Sequence, residues 1–314
     1  MKLNPRVIVI AVCLLAFLLV PPIAIALDES FYVILFARIM IFAIAAMSLD
    51  LILGYGGMVS LGHAVYLGIG GYAVAVFSYY GIDNGLLQFG AAIVGCAVVA
   101  LLIGAICLRT SGVYFIMITL AFGQMLYYLG ISIEEYGGDD GINTYRSEFF
   151  GSGFLNDNVW LYYFILAFMV LTAFVLWRIT NSRFGMVIRG SRSNERRMHA
   201  IGFPTFRYRL VAFVISGVIC GIAGALLANL SEFMTPEVMN WTRSGEILVM
   251  VLMGGIGTIF GPALGAAAFI LLELFLEDLT QHWMVIFGPL LVLLVLFAKR
   301  GLFGLVPQAR RSRD

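Results

Sequence analysis

The stretch Phe31-Tyr-Val-Ile-Leu-Phe-Ala-Arg38-Ile-Met-Ile-Phe-Ala-Ile-Ala-Ala-Met-Ser-Leu-Asp50-Leu-Ile-Leu53 carries only two charged side chains and passes directly into Gly54-Tyr-Gly-Gly-Met-Val-Ser-Leu-Gly-His63. An α-helix rises about 1.5 Å per residue, so about 20 apolar residues cross the hydrocarbon of a bilayer. The run therefore reads as a membrane span that ends in glycine-rich, broken backbone. Broken backbone exposes amides and carbonyls, and at membrane depth it is tolerated only against protein or a water-filled cavity.

The rest of the chain has the same character. Hydrophobic residues make up 61% and charged residues 12%, and the mean hydropathy is +0.99, whereas soluble domains hold about 45–50% apolar and about 25% charged residues. Apolar runs of spanning length fall at 7–27, 31–53, 60–80, 86–108, 112–132, 159–179, 207–230 and 283–298. The N-terminus imitates a signal peptide, with Lys2 and Arg6 before the first run and Ala24-Ile25-Ala26 like a cleavage site. Pro21-Pro22 interrupts that run, and we read it as a retained first span. Cys13, Cys96, Cys107 and Cys220 all fall inside apolar runs without paired spacing, which predicts buried thiols and neither a disulfide frame nor a metal site.

Charge distribution sets the topology. Arg178, Arg183, Arg189, Arg192, Arg196, Arg197, Arg207 and Arg209 crowd one connection, and Lys299, Arg300, Arg310, Arg311 and Arg313 follow the last run. Basic loops stay cytoplasmic. The acidic groups Asp28-Glu29, Glu134-Glu135, Asp139-Asp140, Glu232, Glu237 and Glu277-Asp278 fall in other connections. With Glu232 and Glu277 both outside, Ser244–Gly257 must go in and Pro262–Leu276 must return, as two short segments turning at Gly257–Gly261. The expected fold is an all-α polytopic membrane protein of about ten segments, with both termini cytoplasmic. Residues 1–305 form a single transmembrane domain, with an outer loop at 134–158, a cytoplasmic loop at 180–206 and a basic tail at 306–314. The outer loop is acidic and glycine-rich, and reads either as a solvated loop or as a docking surface.

Two glycine-broken stretches occupy the two halves of the chain: Gly54–Gly71, and Gly254-Gly-Ile-Gly-Thr-Ile-Phe-Gly-Pro262 running on to Gly265. Interrupted segments in corresponding halves point to a transporter's substrate path. Small residues at four-residue spacing also let helices approach closely, as in Gly257, Gly261, Gly265 and in Gly217, Gly221, Ala225. Packing is the better reading for the second stretch, and packing and path lining are both open for the first. Ionisable groups at membrane depth are costly unless paired or wet. Arg38 can snorkel outward, Asp50 can bond the unwound Gly54–Gly57 backbone, His63 can bond a carbonyl, and Glu273 lies in the returning segment. No arrangement of residues suits covalent, hydrolytic or metal chemistry, and no phosphate-loop motif occurs. No catalytic residue, cofactor or nucleic-acid partner is expected.

In the basic loop, Ser193-Asn-Glu195-Arg-Arg-Met198-His-Ala-Ile201-Gly202-Phe203-Pro204 reads as a two-turn helix. Ser193 can cap it, Glu195 suits its first turn, Gly202 suits its left-handed end, and Met198 and Ile201 share a face. So short a helix needs a partner to pack on, either lipid headgroups or a soluble protein.

Gly54-Tyr-Gly-Gly-x-Val-Ser-Leu-Gly-His-Ala64 resembles the signature of LivM-type permeases of branched-chain amino acid ABC importers. Gly112-Val-Tyr-Phe115, Thr119-Leu-Ala-Phe-Gly123, Ser182-Arg-Phe-Gly185, Asn194-Glu195 with Gly202, and Gly254-Gly-Ile-Gly-Thr258 with Gly261-Pro262 extend the resemblance in order along the chain. The resemblance implies a permease subunit in a bacterial inner membrane, working with a second homologous permease, two cytoplasmic ATPase subunits and a periplasmic substrate-binding protein. It implies a coupling helix at Glu195, Met198, Ile201 and Gly202. The substrate path would then be lined by Asp50, Gly54, Gly56, Gly57, Ser60, His63 and Thr119. The sequence departs from the family at Arg196-Arg197, where small residues are usual, and at Asp50, where Asn is common. An ion-coupled secondary transporter using Asp50 and Glu273 is the alternative, and a non-transporting scaffold or receptor is a third class.

Overall fold

The computed structural model describes residues 5–26, 29–149, 151–279, 282, 285–289 and 301–302. In chain order the elements are α1 (Pro5–Ala26), α2 (Ser30–Asp50) continued by a π-helical turn (Leu51–Tyr55), α3 (Ala64–Tyr79), α4 (Gly85–Cys107) and α5 (Val113–Ser132). They continue as β1 (Ile142–Asn143), α6 (Asn158–Thr180), α7 (Arg183–Ser193), α8 (Glu195–Ala200), α9 (Thr205–Ser231), β2 (Phe233–Met234), α10 (Trp241–Gly254) and α11 (Gly261–Leu279). Five helices among the described residues are long and apolar enough to cross a membrane: α2 with its π turn, α4, α5, α6 and α9. Most of the expected run at 283–298 and the basic tail lie outside the described residues.

A helix that is apolar on every face belongs in the interior, and α2 sits there. Of its apolar window 78% is buried, against 17% for α5 at the periphery. Around α2 pack α6, α9, α10 and α11, while α3, α4 and α9 form a second tight group. The α3–α9 contact is made by glycine. Gly70 lies against the Gly221 carbonyl and Gly224 against the Leu67 carbonyl, so neither position has room for a side chain. Gly224 thus joins the expected Gly217–Gly221 ridge. Cys96, Cys107 and Cys220 are buried free thiols, as read from their apolar settings.

Two expectations need correction. Pro21-Pro22 does not interrupt the first helix, which runs through both to Ala26. A proline at position 21 removes the amide that would bond the Phe17 carbonyl. The Tyr162 hydroxyl of α6 donates to that carbonyl instead, at 2.7 Å. Tyr162→Phe is therefore expected to destabilise the protein by about 1–2 kcal/mol, the cost of leaving one buried carbonyl without a donor. A lowered melting temperature in detergent is the readout, and an unchanged one would mean the carbonyl finds another donor. The second correction concerns the run 60–80: helix begins only at Ala64, and Gly56–His63 is irregular.

The 134–158 loop is bonded into the fold along much of its length. β1 pairs antiparallel with β2, Ile142 opposite Met234 and Asn143 opposite Phe233. The Thr144 amide donates to the Glu232 carbonyl at 2.9 Å, and the Ser147 amide to Asn229 Oδ1 at 2.7 Å. Arg146 pairs with Glu232 at 2.6 Å. These contacts hold Glu232 in the left-handed conformation (φ 52°) that ends α9, a conformation costly for a residue with a Cβ.

Candidate functional site

The irregular Gly56–His63 stretch carries amides that no helix satisfies. Side-chain hydroxyls from neighbouring helices satisfy two that flank or lie in it. The Leu61 amide donates to Thr119 Oγ1 of α5 at 3.3 Å, and the Ala64 amide to Ser244 Oγ of α10 at 2.9 Å. Ser48 Oγ of α2 donates to the Ala45 carbonyl at 2.7 Å and sits 2.9 Å from His63 Nε2. Because the serine proton is engaged with Ala45, His63 Nε2 is the donor of that pair, which leaves Nδ1 as an acceptor. The sequence expectation of a His63–carbonyl bond is replaced by this histidine–serine bond.

Asp50 also finds a different partner. Its Oδ1 accepts from the Gly257 amide at 2.8 Å, so it ties the end of α2 to the α10–α11 turn and not to Gly54–Gly57. Gly54 lies directly against the Asp50 carboxylate and the Gly257 amide. The two glycine-broken stretches therefore touch. On the other side of Gly54, the Arg192 guanidinium of α7 donates to its carbonyl.

Of the residues read as a path, Asp50, Gly54, Gly56, Ser60, His63 and Thr119 are buried within the chain, and Gly57 is exposed. Asp50, Gly54 and Gly57 gather at one end of the irregular stretch with Gly257 and Arg192. Ser60, His63 and Thr119 follow toward α3 and α5. Asp50 Oδ2, Ser60 Oγ and His63 Nδ1 are buried and make no hydrogen bond to any described residue. Such groups cost about 1–3 kcal/mol each; Asp50 ends α2, Ser60 and His63 lie on the irregular stretch beyond it, and we term the three the polar strip. Arg38 is exposed, its guanidinium 5.9 Å from the Phe42 ring centre, and Glu273 is half-buried on α11. Neither joins the strip. Arg192 and Gly257 are expected from sequence only as a loop charge and a turn, and Ser48 and Ser244 carry no role there, since the bonds of Arg192, Ser244 and Gly257 to the strip join residues far apart in the chain.

The second candidate is α8. Asn194, not Ser193, caps it, its Oδ1 accepting from the Arg197 amide at 3.0 Å. Ser193 is the last residue of α7, too early to reach these amides. Glu195 accepts from Arg209 with both oxygens at 3.1 Å and from Thr205 Oγ1 at 3.2 Å, so it fastens α8 to the start of α9. Met198 lies on Gly190 of α7, whereas Ile201 is 64% exposed. The two do not share an environment as their spacing predicted. Gly202 takes φ 95°, the left-handed end expected of it.

Residues 31–296, which include both candidates, match the family described as branched-chain amino acid transport system / permease component. The chain belongs to this family. It is 28% identical over 288 residues to the high-affinity branched-chain amino acid transport system permease protein LivM of Salmonella typhimurium, covering 84% of this chain and 68% of that protein. A probable LivM of Methanocaldococcus jannaschii is 26% identical over 314 residues, covering 83% of this chain and 90% of its own. The autoinducer 2 import system permease protein LsrC of Yersinia pseudotuberculosis is 30% identical over a shorter stretch of 103 residues, 31% of this chain and 29% of that one. Membership in this permease family makes the chain a LivM-type transport subunit and does not favour the reading as a self-sufficient ion-coupled carrier.

Proposed function

We propose that the chain is the translocation subunit of an ATP-driven importer of branched-chain amino acids or related small amino acids. It works in a bacterial inner membrane beside a second homologous permease. Two cytoplasmic ATPases supply the energy and a periplasmic binding protein delivers the substrate. The observation that carries the path assignment is the strip of unpartnered buried groups, Asp50 Oδ2 at the end of α2 and Ser60 Oγ and His63 Nδ1 on the broken segment that follows it. These groups have hydrogen-bonding capacity to offer when alternating access opens the strip to a zwitterionic substrate.

In this reading the chain has ten segments, α10 and α11 being the two short ones that turn at the glycine run. Residues 1–305 form one domain, 134–158 face the periplasm, 180–206 form the coupling loop and 306–314 extend the cytoplasmic end. The exposed face of α8, with Arg196, Arg197 and Ile201 followed by Gly202, meets the ATPase. Glu195 and Met198 hold that face in position.

The test is uptake of labelled leucine by proteoliposomes holding the full complex and its binding protein. Uptake should require ATP and persist when proton and sodium ionophores are added. Ser60→Val should lower it about tenfold at equal membrane level, the equivalent of one lost hydrogen bond of about 1.4 kcal/mol. Uptake without ATP, or its collapse on adding ionophore at constant ATP, would sink the reading.

A further inference from the structure

We propose that Arg192 is a positioning residue for transport, the link by which movement of the α7–α8 arm releases the broken segments and opens the strip to the cytoplasm. This rests on the permease reading above.

Three separate parts of the chain meet at Gly54: the end of α2, the α10–α11 turn through the Gly257 amide, and α7 through the Arg192 guanidinium. The Arg192 stem lies across Gly57, where an added Cβ would sit 2.9 Å from Cγ. Gly57 has φ 70°, so the irregular stretch turns beside the arginine stem. One side chain from a surface helix thus bonds Gly54 and lies next to Gly57.

The helix that carries this arginine is built as a lever. Near its start Gly185 lies against the Thr180 carbonyl, and Arg189 donates to the same carbonyl at 3.1 Å, which fixes α7 to the end of α6. One residue beyond Arg189, Gly190 receives the Met198 side chain of α8. In the last turn Arg192 reaches the glycine run. A displacement of α8 is therefore passed to α7 by direct packing and to Gly54 by a hydrogen bond.

A second place for the guanidinium lies close by. Asp50 Oδ2 is buried without a hydrogen-bond partner among the described residues, and Gly54 meets both the Asp50 carboxylate and the Arg192 guanidinium. A guanidinium has five donors in a rigid fork and pairs well with a carboxylate. Moving Arg192 from the Gly54 carbonyl to the Asp50 carboxylate would free Gly54 from α7, and a two-pronged pairing that engages Oδ1 as well as Oδ2 would compete with the Gly257 amide for Oδ1. The two glycine-broken stretches then part, which distinguishes a gate from a static brace.

The experiment uses the full complex in inverted membrane vesicles, with Cys13, Cys96, Cys107 and Cys220 replaced by Ala and Ser60→Cys as reporter. A charged, membrane-impermeant maleimide added to the exposed cytoplasmic face labels the introduced thiol at a rate set by the gate. Without ATP, Arg192→Ala should raise that rate about tenfold, the loss expected for a charge-assisted hydrogen bond, and Arg192→Lys should keep it near the parent rate. In the native-cysteine complex, Arg192→Ala should keep ATP hydrolysis while leucine uptake falls, so that more ATP is consumed per leucine. Asp50→Asn retains an acceptor for Gly257 but removes the charge, and should lower uptake with labelling unchanged. An unaltered labelling rate in Arg192→Ala overturns the proposal, as does normal uptake in Asp50→Asn should Arg192→Ala fail to fold. Labelling needs neither a transported substrate nor ATP, so its outcome is separate from failure of the importer reading, which shows as absent ATP-driven uptake in the parent complex.

Discussion

Gly224→Val is expected to remove most folded permease from the membrane. A Cβ at this position would collide with the Leu67 carbonyl and lie 3.0 Å from the Gly71 amide. Both obstacles are backbone of α3, so no side chain can rotate away, and relief requires the two helices to separate. On the opposite surface Gly70 meets the Gly221 carbonyl in the same manner, so separation would open the whole α3–α9 contact. Overpacking a well-filled interior costs about 1–3 kcal/mol where side chains can adjust. Where they cannot, the upper end or more is expected, a large part of the ~5–15 kcal/mol that holds a protein folded. The measurement is the monodisperse fraction after detergent extraction, with melting temperature for whatever survives. Gly90→Val is the control, because nothing lies within 4 Å of a Cβ at that position of α4. Equal yield from the two variants would show that the α3–α9 contact is looser than the backbone geometry requires.

The contrast between those two glycines also shows where sequence reading stops. Spans were legible because membrane solvation acts on composition, and a run such as 86–108 needs no knowledge of its neighbours to be recognised. α4 and α9 accordingly lie within a few residues of their expected limits. Partners were not legible. Asp50 was read with the nearest free backbone, Gly54–Gly57, but its acceptor oxygen is taken by Gly257, 207 positions away. Pro21-Pro22 reads as a break because a proline removes a hydrogen bond, yet a tyrosine 145 positions from Phe17 restores that carbonyl's lost partner. The 134–158 loop shows the same limit: composition left a solvated and a docking segment open and did not indicate its strand partner Phe233–Met234, which lies beyond two intervening spans. Local rules found the elements, whereas long-range bonds decided how the irregular backbone between them is satisfied.

At α8, reversing the charge of Glu195 should uncouple the ATPase from the permease without unfolding the membrane part. The Glu195 side chain is 44% exposed and that of Arg209 13%, so the pair contributes little to stability, under about 1 kcal/mol after solvent screening. Its effect is on direction. A helix of 6 residues is not stable alone, and α8 is oriented by three ties: the Asn194 cap, Met198 on Gly190, and Glu195 on Arg209 and Thr205. In Glu195→Arg the third tie becomes repulsion, with Arg196, Arg197 and Arg209 adding to it. The exposed face bearing Ile201 then no longer has a fixed orientation for its partner. We expect ATPase co-purification and leucine uptake each to fall about tenfold, the size of a lost charge-assisted contact, with the melting temperature nearly unchanged. Glu195→Arg combined with Arg209→Glu restores an ion pair in reversed order across the same gap. If Glu195 acts by orienting α8, the double variant should recover most of the lost uptake. If Glu195 instead touches the ATPase itself, the double variant should be as defective as the single one, and the role of Glu195 passes from positioning to direct contact.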